Sequence, residues 1–174
     1  MNHIQTAGQQ KYYDFVAGRA KSIRTGMIVW MSLLCLALIS LFNNIVIAVI
    51  MAVIGIALAV TNLKAQKELK EKLNNISDQE EFFRQLADSE LVQAEEGHIL
   101  VTKDYALVFH PDIMIYELNE MEKVEVGMKG NVQKYLFLTD KSGKRHEIMS
   151  CMKNGGDSEE FDKIYYALTK RVGV

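Results

Sequence analysis

Charged residues are missing from one long stretch of this sequence, and proline and cysteine are scarce throughout. No Asp, Glu, Lys or Arg lies between Arg24 and Lys64. The single proline, Pro111, and the few low-complexity stretches argue against long disordered linkers. The two cysteines, Cys35 and Cys151, lie far apart, which gives no sign of a disulfide framework and suits a reducing compartment.

The uncharged stretch is about twice as long as the ~20 apolar residues that one helix needs to cross a bilayer. Asn43 and Asn44 lie at its centre, and asparagine tolerates the left-handed backbone of a tight turn. We therefore predict a transmembrane hairpin over residues 25–63, with helices at about Thr25–Phe42 and Ile45–Leu63. A secretory signal peptide is disfavoured, because the basic region lies far from the start and the apolar run continues into a second one.

Basic residues flank the uncharged stretch on both sides. They are Lys11, Arg19, Lys21 and Arg24 before it, and Lys64, Lys67, Lys70 and Lys72 after it. Because Lys and Arg are enriched on the cytoplasmic side of membrane proteins, we expect a multi-pass protein of the plasma (inner) membrane with both termini cytoplasmic. The span contains no Asp, Glu, Lys, Arg or His that could carry protons or ions, so a transporter or channel acting alone is disfavoured.

Small residues recur on one stripe of the second helix, where another helix could approach closely. They are Ala48, Ala52, Gly55 and Ala59. Packing against the first helix of the same hairpin is the favoured interpretation. The alternative is contact with a second copy of the chain or with a partner's transmembrane helix.

The segments beside the hairpin have their own patterns. Residues 1–24 form a cytoplasmic basic segment, either a short helix in the headgroup layer with its tyrosines at the interface or an irregular flank. Residues 64–89 form a helical linker, in which Ser77 and Glu80 have the spacing of a capping box. The helix that follows this box is expected to bury Phe82, Phe83 and Leu86.

Residues 90–174 change to short β-like runs that end in an amphipathic helix. Six or seven antiparallel strands are predicted, at about Leu91–Ala94, His98–Thr102, Asp104–Phe109, Ile113–Leu118, Lys123–Met128, Val132–Thr139 and Arg145–Ser150. The helix has an apolar stripe of Phe161, Ile164, Tyr165, Leu168 and Val172. The fold class is therefore α+β: a two-helix transmembrane hairpin followed by a small antiparallel β domain with a C-terminal helix.

Three stretches carry a family resemblance: HILVTKDYALVF, IMIYELNEMEKVEV and YLFLTDKSGKRHEI. They follow a rhythm of Thr102 and Tyr105, then Leu118, Met121, Val124 and Val126. With the closing helix, this layout resembles bacterial membrane proteins in which a two-helix hairpin flanks a pleckstrin-homology-like domain. The resemblance implies such a domain at residues 90–174. The dense basic loop cluster of phosphoinositide-binding members of that superfold is missing.

The loop between the last two predicted strands carries Lys141, Lys144 and Arg145, which together could hold the phosphate of an anionic lipid headgroup. Asp140 and Glu147 flank these cations, so an ordinary solvated loop is the alternative.

Other chemistry is poorly supported. His98 and His110 could approach each other beside Asp112, but no further ligand completes a zinc site. His146 and Cys151 are five residues apart on one predicted strand, and an odd spacing points two side chains to opposite faces.

We therefore expect no metal, no cofactor, no small-molecule substrate and no enzymatic activity. Nucleic acid is also disfavoured, because residues 64–174 carry 16 Lys and Arg against 21 Asp and Glu. The expected function is a membrane-anchored cytoplasmic binding or assembly module, whose partner is another protein or a second copy of the chain. The alternative is an anionic lipid-headgroup binding domain at the inner membrane surface.

Overall fold

The computed structural model describes residues 6–109, 112–130, 132–152 and 158–172. The chain divides into two compact units. The helical unit comprises Val16–Ser77, and the β unit comprises Met1–Phe15 together with Asp78–Val174.

Two long helices dominate the first part of the chain. Helix α1 runs over Ala7–Ser40 and α2 over Ile45–Asn74, and both are long and apolar enough to span a membrane. Helix α1 begins about five turns before the predicted span. The basic segment is therefore neither a separate short helix nor an irregular flank, because its residues continue one helix.

The asparagine turn works differently from the prediction. Asn44 has an extended backbone, with φ −153°, rather than a left-handed one. Its side-chain oxygen accepts hydrogen bonds from the backbone N–H groups of Val46 and Ile47 at 3.0 and 3.2 Å. These are two of the donors that a helix leaves unpaired at its start, so Asn44 caps α2.

The second helix continues well past its apolar part, as the linker prediction required. Lys64 pairs with Glu68 at 3.9 Å and Lys67 with Glu71 at 3.5 Å, both one helical turn apart. Because these side chains are exposed, the pairs add little stability.

Small and polar residues mark the contact between the two helices of the helical unit. Ala48 and Gly55 are buried. A Cβ atom on Gly55 would lie 2.9 Å from Cδ2 of Leu34, so the position requires glycine unless Leu34 moves. The amide of Asn62 donates to the Ile23 carbonyl at 2.8 Å and would lie 2.6 Å from a Cβ on Gly26.

Helix α3, Gln79–Leu86, opens the second part of the β unit. Its cap is Asp78, whose carboxylate accepts from the Glu81 N–H at 2.9 Å. The predicted box beginning at Ser77 was therefore displaced by one residue. Phe82 and Leu86 are buried as predicted, whereas Phe83 is only partly covered.

In the described part of the chain seven strands follow and form two antiparallel sheets, which confirms the α+β layout. They are β1 Val92–Ala94, β2 Ile99–Val101, β3 Tyr105–Phe109, β4 Ile113–Glu117, β5 Met121–Lys129, β6 Gln133–Asp140 and β7 Arg145–Met152. The first four pair in sequence order as one sheet, and the last three form the other. Helix α4, Ser158–Thr169, buries Phe161, Ile164 and Leu168 against the core between them.

The Thr102–Tyr105 motif forms the turn between β2 and β3. The Thr102 hydroxyl accepts from the Tyr105 N–H at 3.0 Å, and the Thr102 N–H donates to the Tyr105 carbonyl at 2.8 Å. The threonine side chain thus closes a tight hairpin, which explains why this residue pair stands at this spacing.

The start of α1 packs within the β unit. The Tyr12 ring lies edge-to-face with the rings of Phe82 and Phe83, with centroids 5.8 and 5.9 Å apart. The Phe15 ring contacts that of Phe109 at 6.3 Å. Tyr12 is 4% exposed, so this residue belongs to a protein core rather than to a lipid interface.

A buried amide joins α3 to the β2–β3 turn. The side-chain oxygen of Gln85 accepts from the Thr102 hydroxyl and the Asp104 N–H, each at 3.0 Å. Its nitrogen donates to Glu81 at 2.9 Å and to Asp104 at 2.5 Å. All four hydrogen-bonding positions of this amide are occupied, which is why a polar residue is tolerated there.

We expect Gln85→Leu to lower the free energy of unfolding by about 1–3 kcal/mol, because it leaves the Asp104 N–H without its partner. Thermal unfolding of the full chain in neutral detergent measures this. Gln133→Leu is the matched control, since its amide makes a single long bond of 3.4 Å to Ser150. Equal stability of the two variants would contradict the view that the hydrogen bonds of Gln85 stabilise the contact between α3 and the β2–β3 turn.

Candidate functional site

A cleft of about 480 Å³ in the β unit brings together basic side chains from distant parts of the sequence. It is formed by the β2–β3 turn, the β4–β5 connection, the β6–β7 loop and the end of α4. Its polar lining residues are Lys103, Asp104, Asn119, Lys141, Lys170 and Arg171. Four cations therefore surround one carboxylate.

Hydrogen bonds join the segments that line this cleft. The Leu118 N–H donates to the Asp104 carbonyl at 2.8 Å, which ties the β4–β5 connection to the β2–β3 turn. The Lys141 N–H donates to the Glu120 carbonyl at 3.1 Å, which ties the β6–β7 loop to the same connection. The walls are thus fixed by backbone contacts.

Arg171 anchors the remaining wall. Its guanidinium donates to the carbonyl oxygens of Val101 at 2.8 Å and Glu90 at 2.9 Å. Both acceptors are neutral, and burial lowers the pKa of Arg171 despite the nearby Glu90 carboxylate. The guanidinium is held in place while its charge is only partly compensated.

The three lysines of the cleft are exposed, and they have no close counterion in the described part of the chain. Among the residues that the structure describes, no carboxylate oxygen lies within 4.0 Å of the ammonium groups of Lys103, Lys141 or Lys170. Glu81 interacts with Lys103 at longer range, and that carboxylate is hydrogen-bonded to Arg84 and Gln85. The cleft therefore carries an excess of positive charge.

Sequence reasoning found only one of these cations. Lys103, Lys170 and Arg171 lie far from Lys141 in the sequence, and no local pattern connects them. The fold brings them together by placing two turns and the end of a helix side by side. No signal in a single sequence could have identified this cluster.

Asp140 organises the loop that holds the predicted headgroup residues. Its carboxylate accepts from the N–H groups of Ser142 and Lys144, from the Ser142 hydroxyl, and faces the His146 ring at 2.9 Å. Hydrogen bonds from Ser142 and His146 hold the pKa of Asp140 well below its ordinary value. Gly143, with φ +84°, supplies the left-handed position that this turn needs.

The loop cations belong to different surroundings. Lys141 lines the basic cleft, whereas Arg145 pairs with Glu125 at 3.3 Å and lies over the Phe137 ring at 4.4 Å. Arg145 and Phe137 line a separate depression of about 390 Å³, opposite Gly127. Lys144 is exposed and lines neither space.

A β-bulge alters the relation between His146 and Cys151. The pairing of β6 with β7 shifts between Leu136 and Phe137, which leaves Ile148 as an extra residue on β7. His146 and Cys151 then share a face of the sheet, contrary to the prediction from odd spacing. They remain four ladder positions apart, about 13 Å, so the imidazole is out of reach of the thiol.

The other candidate ligands do not come together. His98 packs its ring against Phe109 at 5.6 Å, whereas His110 lies outside the described residues. Within the described ranges, no group of three His, Cys, Asp or Glu side chains is arranged to hold a metal ion.

The first strand of the three-stranded sheet offers a second surface. Strand β5 is nine residues long and, in the described part of the chain, pairs with β6 alone. Val126 and Met128 are 46% and 54% exposed, and they continue the face of the partly buried Val124 beyond the core. Among the described residues, this edge combines backbone groups that pair with no further strand and exposed apolar side chains.

Comparison with known proteins gives no relative: no family model, no curated protein and no solved structure matches this chain.

Proposed function

We propose that this chain is a membrane-anchored binding module. Helices α1 and α2 cross the plasma (inner) membrane as a hairpin with both termini cytoplasmic, and the β unit works at the cytoplasmic surface. Twenty large apolar side chains between Met27 and Leu63 are at least 36% exposed, which is far more apolar surface than a soluble protein presents to water. A surface of this kind is suited to contact with the hydrocarbon chains of lipids.

The domain that the anchor carries is proposed to be pleckstrin-homology-like. Support comes from a four-stranded and a three-stranded antiparallel sheet with one closing helix, in the order that the resemblance implies. Because one fold serves many purposes, the proposed function depends on the surface rather than on this likeness.

The exposed edge of β5 is the proposed binding surface for a partner. A partner segment in extended conformation can add a strand to such an edge, where backbone hydrogen bonds give affinity and side-chain contacts give specificity. Val126 and Met128 would supply the apolar contact. A neighbouring protein in a membrane complex, or a second copy of the chain, is the proposed partner. The chain is proposed to act by binding, without catalysis.

Co-purification tests this function. The tagged full chain is extracted in mild detergent, and native mass spectrometry measures what remains bound. We expect a stoichiometric second protein, or a dimer of the chain, that is lost in Val126→Lys/Met128→Glu. Tyr166→Lys is the matched control, since Tyr166 is 69% exposed on α4.

Two results would contradict the proposal. One is a chain that emerges alone or with tightly held anionic lipid only. The other is a partner that the β5 variant retains as fully as the control, which would remove β5 as the contact.

A further inference from the structure

We infer that the basic cleft is a binding site for a phosphate-bearing anion. This inference goes beyond the proposed partner surface. Met121, at the start of β5, lines the cleft, but Val126 and Met128, which form the proposed partner surface, do not. Either can therefore fail without the other.

The net positive charge of the cleft lining favours an anion with more than one negative charge. Lys103, Lys141, Lys170 and Arg171 contribute four positive charges to the lining, against one negative charge from Asp104. Like charges held in one cleft repel each other, so an anion that enters it relieves that repulsion. A phosphate group, which carries up to two charges and several acceptor oxygens, compensates this excess better than a single carboxylate does.

The carboxylate of Asp104, in the cleft lining, is hydrogen-bonded to Gln85. Asp104 accepts a hydrogen bond from Gln85 at 2.5 Å, and its own N–H donates to the oxygen of the same amide. These bonds orient Asp104 from the α3 side, and in the described part of the chain neither of its carboxylate oxygens lies within 4.0 Å of a cleft ammonium group. The excess charge is consequently available to a ligand.

Arrangement of the donors also suits phosphate. Two carbonyl groups fix Arg171, and among the described residues no other acceptor engages the remaining three of its five N–H donors. The three lysines are flexible point charges at the rim, and Asn119 adds a neutral amide. One fixed fork with several mobile ammonium groups can close around a tetrahedral anion with little backbone movement.

The cleft volume of about 480 Å³ exceeds one phosphate ion and lies in the usual range for small-molecule sites. The ligand therefore carries its phosphate on a larger group. Such a group is either a lipid headgroup or a soluble phosphorylated compound, and both offer the same chemistry to these residues.

Two double variants test the site because each removes two charges and leaves Lys141 in place. Lys103→Gln/Lys170→Gln removes two positive charges from the rim of the cleft. Lys144→Gln/Arg145→Gln removes two positive charges from the neighbouring loop and leaves the cleft unchanged. All variants are made in the full chain in neutral detergent. Calorimetric titration with inorganic pyrophosphate measures soluble binding, and native mass spectrometry compares retention of phosphatidic acid with that of phosphatidylcholine.

We expect the cleft variant to weaken binding by about tenfold or more, while the loop variant stays close to wild type. Pyrophosphate binding without selective lipid retention would identify a soluble ligand, and selective retention of phosphatidic acid would identify a headgroup. The inference is overturned if neither probe binds wild type, or if the loop variant loses binding while the cleft variant keeps it.

Discussion

Gly8→Ala should separate the start of α1 from α3 and lower the stability of the β unit by about 1–3 kcal/mol or more. A Cβ atom at this position would overlap the Phe83 carbonyl oxygen. That oxygen belongs to the backbone of α3, so no side-chain rotation can relieve the overlap. The two helices must separate, which weakens the ring contacts that Tyr12 makes with Phe82 and Phe83.

The matched control is Gln10→Ala in the same helix. Gln10 is exposed and donates to the exposed side chain of Asp14, so this change should shift the stability by less than about 0.5 kcal/mol. Thermal unfolding in detergent gives the stability of each variant, and limited proteolysis reports whether residues before Phe15 have become accessible. If both alanine variants behave alike, the close approach at Gly8 does not hold the two helices together.

Periodic patterns were sufficient to predict most of the elements. The stripe of Phe161, Ile164 and Leu168 identified α4, and all three side chains are buried. Alternating runs between turn residues identified all seven strands to within a few residues. These signals are local, because one buried face imposes a period of 3.6 on a helix and 2 on a strand.

Features that depend on a distant segment could not be predicted in this way. Gly8 and Gln85 look ordinary in the sequence, and each acquires its role from residues far along the chain. The bulge at Ile148 also leaves no periodic trace, although it changes which face Cys151 occupies. The basic cleft is the clearest case, since Lys103 and Lys170 meet only when the sheets and α4 have packed.

The start of α1 shows how a correct composition signal led to an incomplete interpretation. Aromatic and basic residues between Lys11 and Arg24 are typical of an interfacial segment, and Tyr13 is indeed exposed. Tyr12 and Phe15 instead face protein. Composition could not separate these two surroundings, because an amphipathic helix can cover a lipid surface or a protein core with the same residues.

Ile50→Arg/Ile54→Arg should abolish stable insertion of the helical unit into membranes. Both side chains lie on one face of α2 near the middle of its apolar part, and they are 54% and 47% exposed. An arginine at the centre of a spanning helix costs about 2.5–3.5 kcal/mol, so two should cost roughly 5–7 kcal/mol. This cost already includes the relief that snorkelling and local thinning of the bilayer give.

Asn74→Arg/Ser77→Arg adds the same two charges at exposed positions beyond the apolar part of α2 and should insert normally. Extraction of membranes with alkaline carbonate measures the integrated fraction, and protease digestion of sealed vesicles reports which side holds the β unit. Loss of carbonate resistance in the Ile50/Ile54 variant alone would show that α2 faces hydrocarbon. Equal resistance in both variants would mean that this face of α2 is covered by protein rather than by lipid. Release of the wild-type chain by carbonate would overturn the anchor proposed for the β unit.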